Sequence, residues 1–210
     1  VTLINCFTSP LIQDSMGTEA GAPGAGIMDA LSKAAYSLQM GGGIGMDFST
    51  IRPRGAAVKR TSSVSSGVMP FMDMWHHMSN TIMSAGHRRG AMMATLGIWH
   101  PDIEEFIAAK QQKGRLTNFN VSVLVPDDFM REVECDGSWG LYFAVPRADG
   151  LSTEVPTRDR STHGLQAQIT HQYEYKRVRA RELWEKITAA TYVYAEPGVI
   201  FIDRVNTLNN

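Results

Sequence analysis

Strand-like and helix-like segments alternate along almost the whole of this sequence, and the gaps between successive strand candidates are too long for hairpins. A tight turn reverses the chain, whereas a crossover of a dozen or more residues lets consecutive strands run in parallel. The strand candidates are the short apolar or alternating runs 2–8, 44–50, 91–98, 118–125 and 199–202, with a smaller one at 139–145. Between them, 27–40 carries Ile27, Leu31, Ala34 or Ala35 and Leu38 on one helical face. A second helix, 69–85, has a stripe of Met72, Trp75, Met78 or Ser79, and Ile82, and a third, 101–112, starts at Pro101. Asp127 is the expected cap of a short helix ending near Glu134, and 178–194 places Leu183 and Ile187 on one side of a longer one. These units predict an α/β fold around a parallel sheet of about five β/α repeats.

The remaining segments read as connections. Gly41-Gly42-Gly43 ends the first helix, since glycine accepts the left-handed conformation of a C-terminal cap. Residues 52–67, rich in Arg, Gly and Ser, form a surface loop, and Gly86–Gly90 is a compact basic loop. Residues 147–175 are polar and are read as an irregular insertion in a single partial domain spanning 1–210. The chain opens inside an apolar run without Met and stops at Asn209-Asn210, so it is expected to be an internal piece of a longer protein.

Composition excludes several classes. With 43 % apolar and 20 % charged residues the chain is expected to fold, and a net charge of −1 gives no broad attraction to nucleic acid or anionic membrane. No run reaches the roughly 20 apolar residues of a membrane span, and the first residues lack a signal peptide's basic region. Two cysteines, Cys6 and Cys135, are too few for a disulfide framework or a self-contained zinc site, which fits a reducing cytoplasm.

A few residues could carry chemistry. Cys6, inside an apolar strand, is either a small core residue or a thiol at a strand end facing a pocket. Cys135, between Glu134 and Asp136, is disfavoured as a thiolate and read as incidental. Gly41–Gly45 matches neither dinucleotide nor Walker spacing, and it is either a helix cap or a place where a ligand approaches bare backbone. Arg52, Arg54, Lys59 and Arg60, then His87, Arg88 and Arg89, make two glycine-flanked basic loops suited to a small polyphosphate. His76 and His77 are adjacent on a helix and do not share a face, so they are not a ligand pair, and His100, Asp102 and Glu104 read as a helix start.

Several segments taken in order resemble the ribonucleotide reductase large subunit, most of all its adenosylcobalamin-dependent class. They are Asn5-Cys6-Phe7, Asp14-Ser15-Met16, the stretch 41–55 (GGGIGMDFSTIRPRG), 88–96 (RRGAMMATL), 99–107 (WHPDIEEFI), 118–122 (NFNVS) and 196–206 (EPGVIFIDRVN). The resemblance implies the first five-stranded half of a ten-stranded α/β barrel, in an enzyme that replaces the 2′-hydroxyl of a ribonucleotide by hydrogen through thiyl-radical chemistry. Cys6 then corresponds to the first of the two reducing cysteines, Asn5 lines the substrate, and Gly42 and Gly43 lie against the bound nucleotide. Asp14, Ser15 and Arg52 correspond to a site for a deoxynucleoside triphosphate (dNTP) effector, and Arg88 to the loop joining effector to substrate.

The helices at 27–40 and 69–85 resemble those that pair with a second copy, which leaves the Met-rich stripe open as interface or core. The resemblance further implies adenosylcobalamin, a thioredoxin-type reductant and a homodimer, and no direct contact with DNA. The family's radical cysteine sits in an Asn-x-Cys-x-Glu stretch absent from this sequence, so the chain alone is expected to be inactive. The alternatives are the class that takes its radical from a separate small subunit, and a non-catalytic dNTP-binding module.

Overall fold

The computed structural model describes residues 5–58, 61–82, 90–158 and 169–208. Five strands form one parallel sheet: β1 (Cys6–Thr8), β2 (Gly43–Asp47), β5 (Met92–Gly97), β6 (Phe119–Val125) and β10 (Gly198–Phe201), in the order β1-β2-β5-β6-β10. Spatial order follows chain order, so every crossover steps the same way. Right-handed crossovers that all step one way put their helices on one face of the sheet.

That rule sorts the side chains. Strand alternation and the observed register place Ile44, Met46, Met92, Ala94, Leu96, Phe119, Val121 and Val123 on one face, all within the buried core. The other face carries Cys6 and Thr8, then Gly43, Gly45 and Asp47, then Met93 and Thr95, then Asn120, Ser122 and Leu124, with Ile200 beside Leu124. Most of these are half-buried or exposed. Parallel sheets are ordinarily covered by apolar side chains on both faces, so the small and polar part of the second face, on β1 and β2, marks a surface kept for something other than a helix layer.

The helices form where periodicity places them. α1 (Ile27–Gln39) buries Ile27, Ala30, Ala34 and Leu38, and Gly41, at φ 88°, closes it in the left-handed conformation. α2 (Val68–Thr81) buries Met69, Met72 and Trp75, with Phe48 packed edge-on to Trp75 at 5.4 Å. The Met-rich stripe is therefore core, each such side chain contributing about 1.5–3 kcal/mol by leaving water. α3 (Ile103–Ala108), α4 (Asp127–Glu134) and α5 (Ala180–Tyr194) complete the layer, and a short α6 (Ile202–Leu208) follows β10 directly.

Four expectations change. β1 is an exposed edge strand rather than a buried one, because among the described residues only β2 pairs with it. Residues 52–67 contain a small hairpin, β3 (Ala57–Val58) with β4 (Ser63–Val64). Residues 147–175 are not irregular throughout: β7 (Ser138–Phe143), β8 (Thr153–Arg158) and β9 (Ile169–Arg179) form an antiparallel sheet in the order β7-β9-β8. Asp127 does not cap α4 with its side chain; its N–H donates instead to the Asp203 carboxylate of α6 at 2.9 Å.

Candidate active site and effector site

The predicted residues gather at the two ends of the parallel strands. At the N-terminal end, Cys6 pairs with Gly43, whose N–H donates to the Asn5 carbonyl at 2.6 Å. Cys6 is exposed, on the polar face, beside glycines that leave the neighbouring strand bare. Gly42 has a different reason to lack a side chain: a Cβ there would meet the Phe7 ring at 2.8 Å and the Ser37 carbonyl oxygen at 3.2 Å. A Cβ on Gly43 would approach the Ala91 carbonyl oxygen at 3.2 Å, whereas on Gly45 it would find only ordinary contacts. Gly41 thus serves as the helix cap, and Gly43 lacks a side chain where the Ala91 carbonyl comes close. Arg88 lies outside the described residues.

Along the same face, Thr95 and Ser49 each donate a hydroxyl hydrogen bond to Oδ1 of Asp47, at 2.9 and 2.7 Å. At the start of β6, Lys110 donates to the Phe119 carbonyl and pairs with Glu196 at 2.7 Å. The other carboxylate oxygen of Glu196 accepts from the Val121 N–H, so this largely buried pair ties the chain before β10 to β6. Sequence reasoning gave neither residue a role, although Glu196 opens the segment 196–206.

At the C-terminal end, Asp14 and Arg52 meet. Nε of Arg52 donates to both Asp14 oxygens at 3.1 and 2.9 Å, the Arg52 N–H donates to Oδ1, and Nη1 reaches the Ala57 carbonyl. A guanidinium has five N–H donors, so after these bonds and a long one from Nη2 to the Asp14 carbonyl, Arg52 keeps donors for a ligand. Burial raises the Asp14 carboxyl above its ordinary value, and the bonds from Arg52 offset this only in part. Ser15 follows on the same loop, which is folded around Gln13: its side-chain amide donates to the Ala22 and Pro23 carbonyls and accepts from the Glu19 N–H.

A cleft of about 530 Å³ opens beside this loop, walled by Ile12, Trp99, Phe143 and Val145 and edged by Asp14, Ser15 and Glu19. The Trp99–Asp102 turn below it is also bonded throughout. His100 is fully buried, with its Nδ1 accepting from the Asp102 N–H at 3.1 Å, so Nε2 carries the proton and donates to the Ile51 carbonyl at 2.9 Å. Burial pushes His100 below its ordinary value, although nearby Asp102 and the Ile51 carbonyl pull the other way.

Asp102 stands at a helix start, as expected. It precedes α3 but makes no side-chain cap there, and its carboxylate accepts instead from the N–H groups of Val68 and Arg54. Glu104, also read as a helix-start acid, pairs with Lys176 and Lys186. His76 is buried and His77 exposed, which agrees with their lying on different faces. Among the described residues no group of three or more His, Cys, Asp and Glu could hold a metal ion, and no helix is long and apolar enough to cross a membrane.

A parallel sheet with one polar face and an exposed thiol at its edge accords with the family comparison. The family model described as "Ribonucleotide reductase, barrel domain" matches residues 4–210, and the chain belongs to this family. Among its relatives, a vitamin B12-dependent ribonucleoside-diphosphate reductase of Thermoplasma acidophilum is 34 % identical over 184 residues, covering 87 % of this chain and 21 % of that protein. A protein of the same name from Mycobacterium tuberculosis is 32 % identical over 208 residues, covering 99 % of this chain and 25 % of that protein. The ribonucleoside-diphosphate reductase large subunit of monkeypox virus is 28 % identical over 216 residues, covering 98 % of this chain and 26 % of that protein. The chain thus spans about a quarter of the length of these relatives.

Proposed function

We propose that these residues form the first half of the catalytic barrel of a ribonucleotide reductase, with Cys6 as one of the two thiols that reduce the substrate. The observation that carries this reading is the exposed Cys6 on the polar face of the sheet, beside strand backbone that Gly43 and Gly45 leave uncovered. A thiol fixed on a strand can be held at a set distance from a sugar, and bare backbone lets the nucleotide lie against the sheet. In the overall reaction the ribonucleotide loses its 2′-hydroxyl as water and gains a hydrogen there. Two thiols supply two electrons and two protons and become a disulfide, which an external dithiol then reduces. A thiyl radical that abstracts and returns the 3′-hydrogen is the proposed activator, carried by a cysteine that is neither Cys6 nor Cys135.

Asp14, Ser15 and Arg52 are proposed to bind a dNTP effector. Asp14 would accept from its sugar hydroxyl, and the remaining Arg52 donors would meet its phosphates. Arg88 is proposed to couple that site to the substrate, Asn5 to line it, and α1 and α2 to face a second copy of the chain. A thioredoxin-type protein is the proposed reductant.

The names of the Thermoplasma and Mycobacterium relatives support a cobalamin-dependent enzyme, with adenosylcobalamin as radical source. The described residues do not themselves fit that cofactor. The surface around Cys6 offers Thr8 and glycines, and the cleft lies at the opposite end of the strands with an acidic edge. The cofactor therefore belongs to the complete protein. Relatives named large subunit or subunit alpha favour a second reading, in which a separate subunit supplies the radical.

The test is Cys6→Ser in the complete protein, assayed with adenosylcobalamin and a dithiol reductant. Loss of multiple turnover by at least about a thousandfold, with dNTP binding intact, supports the assignment. Normal turnover would refute it, and wild-type activity that requires a second subunit selects the second reading.

A further inference from the structure

We propose that the Trp99–Asp102 turn is a latch that sets the position of Arg52, with His100 and Asp102 as positioning residues for the effector site; this rests on the effector reading of Asp14 and Arg52. Arg52 is held from both sides. Its preceding neighbour, Ile51, is fully buried and accepts from Nε2 of His100 at 2.9 Å. Two residues beyond it, Arg54 donates its N–H to both oxygens of Asp102 at 3.0 and 3.1 Å. Only Pro53 stands between, and its ring fixes φ. The backbone on both sides of Arg52 is therefore held by two side chains of one turn, and those side chains are joined through the Asp102 N–H and Nδ1 of His100 at 3.1 Å.

The same carboxylate closes the far end of the loop. Oδ2 of Asp102 accepts from the N–H of Val68, the first residue of α2, at 2.9 Å. Gly67 lies so near that a Cβ on it would sit 2.6 Å from this oxygen. Ser65 adds a parallel link: its hydroxyl donates to the Arg52 carbonyl at 3.2 Å and accepts from the Gly67 N–H at 3.1 Å. A carboxylate that is 7 % exposed and bonded to two separated backbone N–H groups behaves as a staple across the base of the loop. Arg52 leaves this base and meets Asp14 from the other side, so its free donors are presented at a fixed place rather than on a wandering side chain.

His100 and Asp102 are not among the residues lining the cleft, which Trp99 walls, and Asp102 pairs with backbone rather than with Arg52 itself. The turn's effect should therefore fall on affinity for the effector and spare the reaction in its absence.

The experiment uses the complete protein and measures equilibrium binding of dTTP, effector-free turnover, and amide hydrogen exchange at Arg54 and Val68. Asp102→Asn keeps the shape and removes the charge. It should raise the dTTP dissociation constant at least fivefold, speed exchange at both amides, and leave effector-free turnover within twofold. Ser65→Ala, which loses only the secondary link, should raise the constant two- to threefold, and it stands in for the first variant if that does not fold. Unchanged dTTP affinity in whichever variant folds overturns the latch, as does effector-free turnover falling in step with affinity, which is the signature of general damage. Arg52→Ala separates the two layers: if it leaves dTTP binding unchanged, the effector reading itself fails, whereas a weakened Arg52→Ala beside an unaffected Asp102→Asn removes the latch alone.

Discussion

The two ends of the parallel sheet are built by opposite rules. At the N-terminal end, Cys6 is exposed on an edge strand, and its neighbours contribute backbone and little else. At the C-terminal end, Asp14, Arg52, His100 and Asp102 are partly or wholly buried, and each makes at least two hydrogen bonds. A reacting group must be reached by its substrate, so its surroundings are kept bare. A group that recognises a ligand from a fixed position needs support from behind, and folding provides that support before the ligand arrives.

The contrast breaks most visibly in stability. Phe48, fully buried at the C-terminal end of β2 against Trp75 and Phe119, should cost about 3–5 kcal/mol when changed to Ala, read by urea unfolding of the complete protein. Cys6→Ser, at the open end, should fall within about 0.5 kcal/mol of wild type. Equal losses for the two would erase the distinction.

Acidity sharpens the comparison next. The buried His100 titrates below its ordinary value of 6.5, so above pH 6.5 its neutral form adds its full stability. As pH falls from 6.5 towards the depressed value, the unfolded chain takes up a proton that the native chain refuses, and stability declines, by at most about 1.4 kcal/mol per pH unit for one group. His76 is lowered by burial in the same direction and adds to the slope. His100→Gln should flatten the decline without abolishing it, as measured by unfolding midpoints between pH 7 and pH 5; an unchanged slope would mean that His100 is not the neutral donor described.

The smallest effect belongs to the open face. Gly45→Ala meets only ordinary contacts and should change stability by less than about 0.5 kcal/mol, yet it places a methyl group on the bare strand beside Thr8. A raised KM for the ribonucleotide at unchanged stability fits the bare-strand reading, whereas unchanged kinetics would show that the nucleotide lies elsewhere.

Much of this architecture was readable from residue order. The runs that became β5, β6, β10, α1 and α5 were placed to within about two residues, because apolar periodicity reports which face of an element is covered. The antiparallel sheet at 138–179 was missed beyond its first strand. β8 runs half-buried and exposed along its described side chains, and β9 is partly exposed as well, so neither shows the alternation that betrays a one-sided strand. The partners of two carboxylates were hidden for another reason. Asp127 and Asp102 both stand at helix starts, but the partner of each is fixed by tertiary approach, which local sequence does not encode. Cys6 and Arg52 stood out as residue types and Asp14 only by resemblance, and the structure brings the last two into contact.

The staple at the base of the Arg52 loop has a consequence for how this protein can change. With both feet of the segment fixed, the chain between Val58 and Ser63 can lengthen at the cost of loop-closure entropy alone, about 0.6 kcal/mol for each doubling. Insertions there would leave the anchored arginine where it is. The hairpin is thus a place where lineages can drift in length, and where a fluorescent reporter could be spliced in to watch an effector arrive.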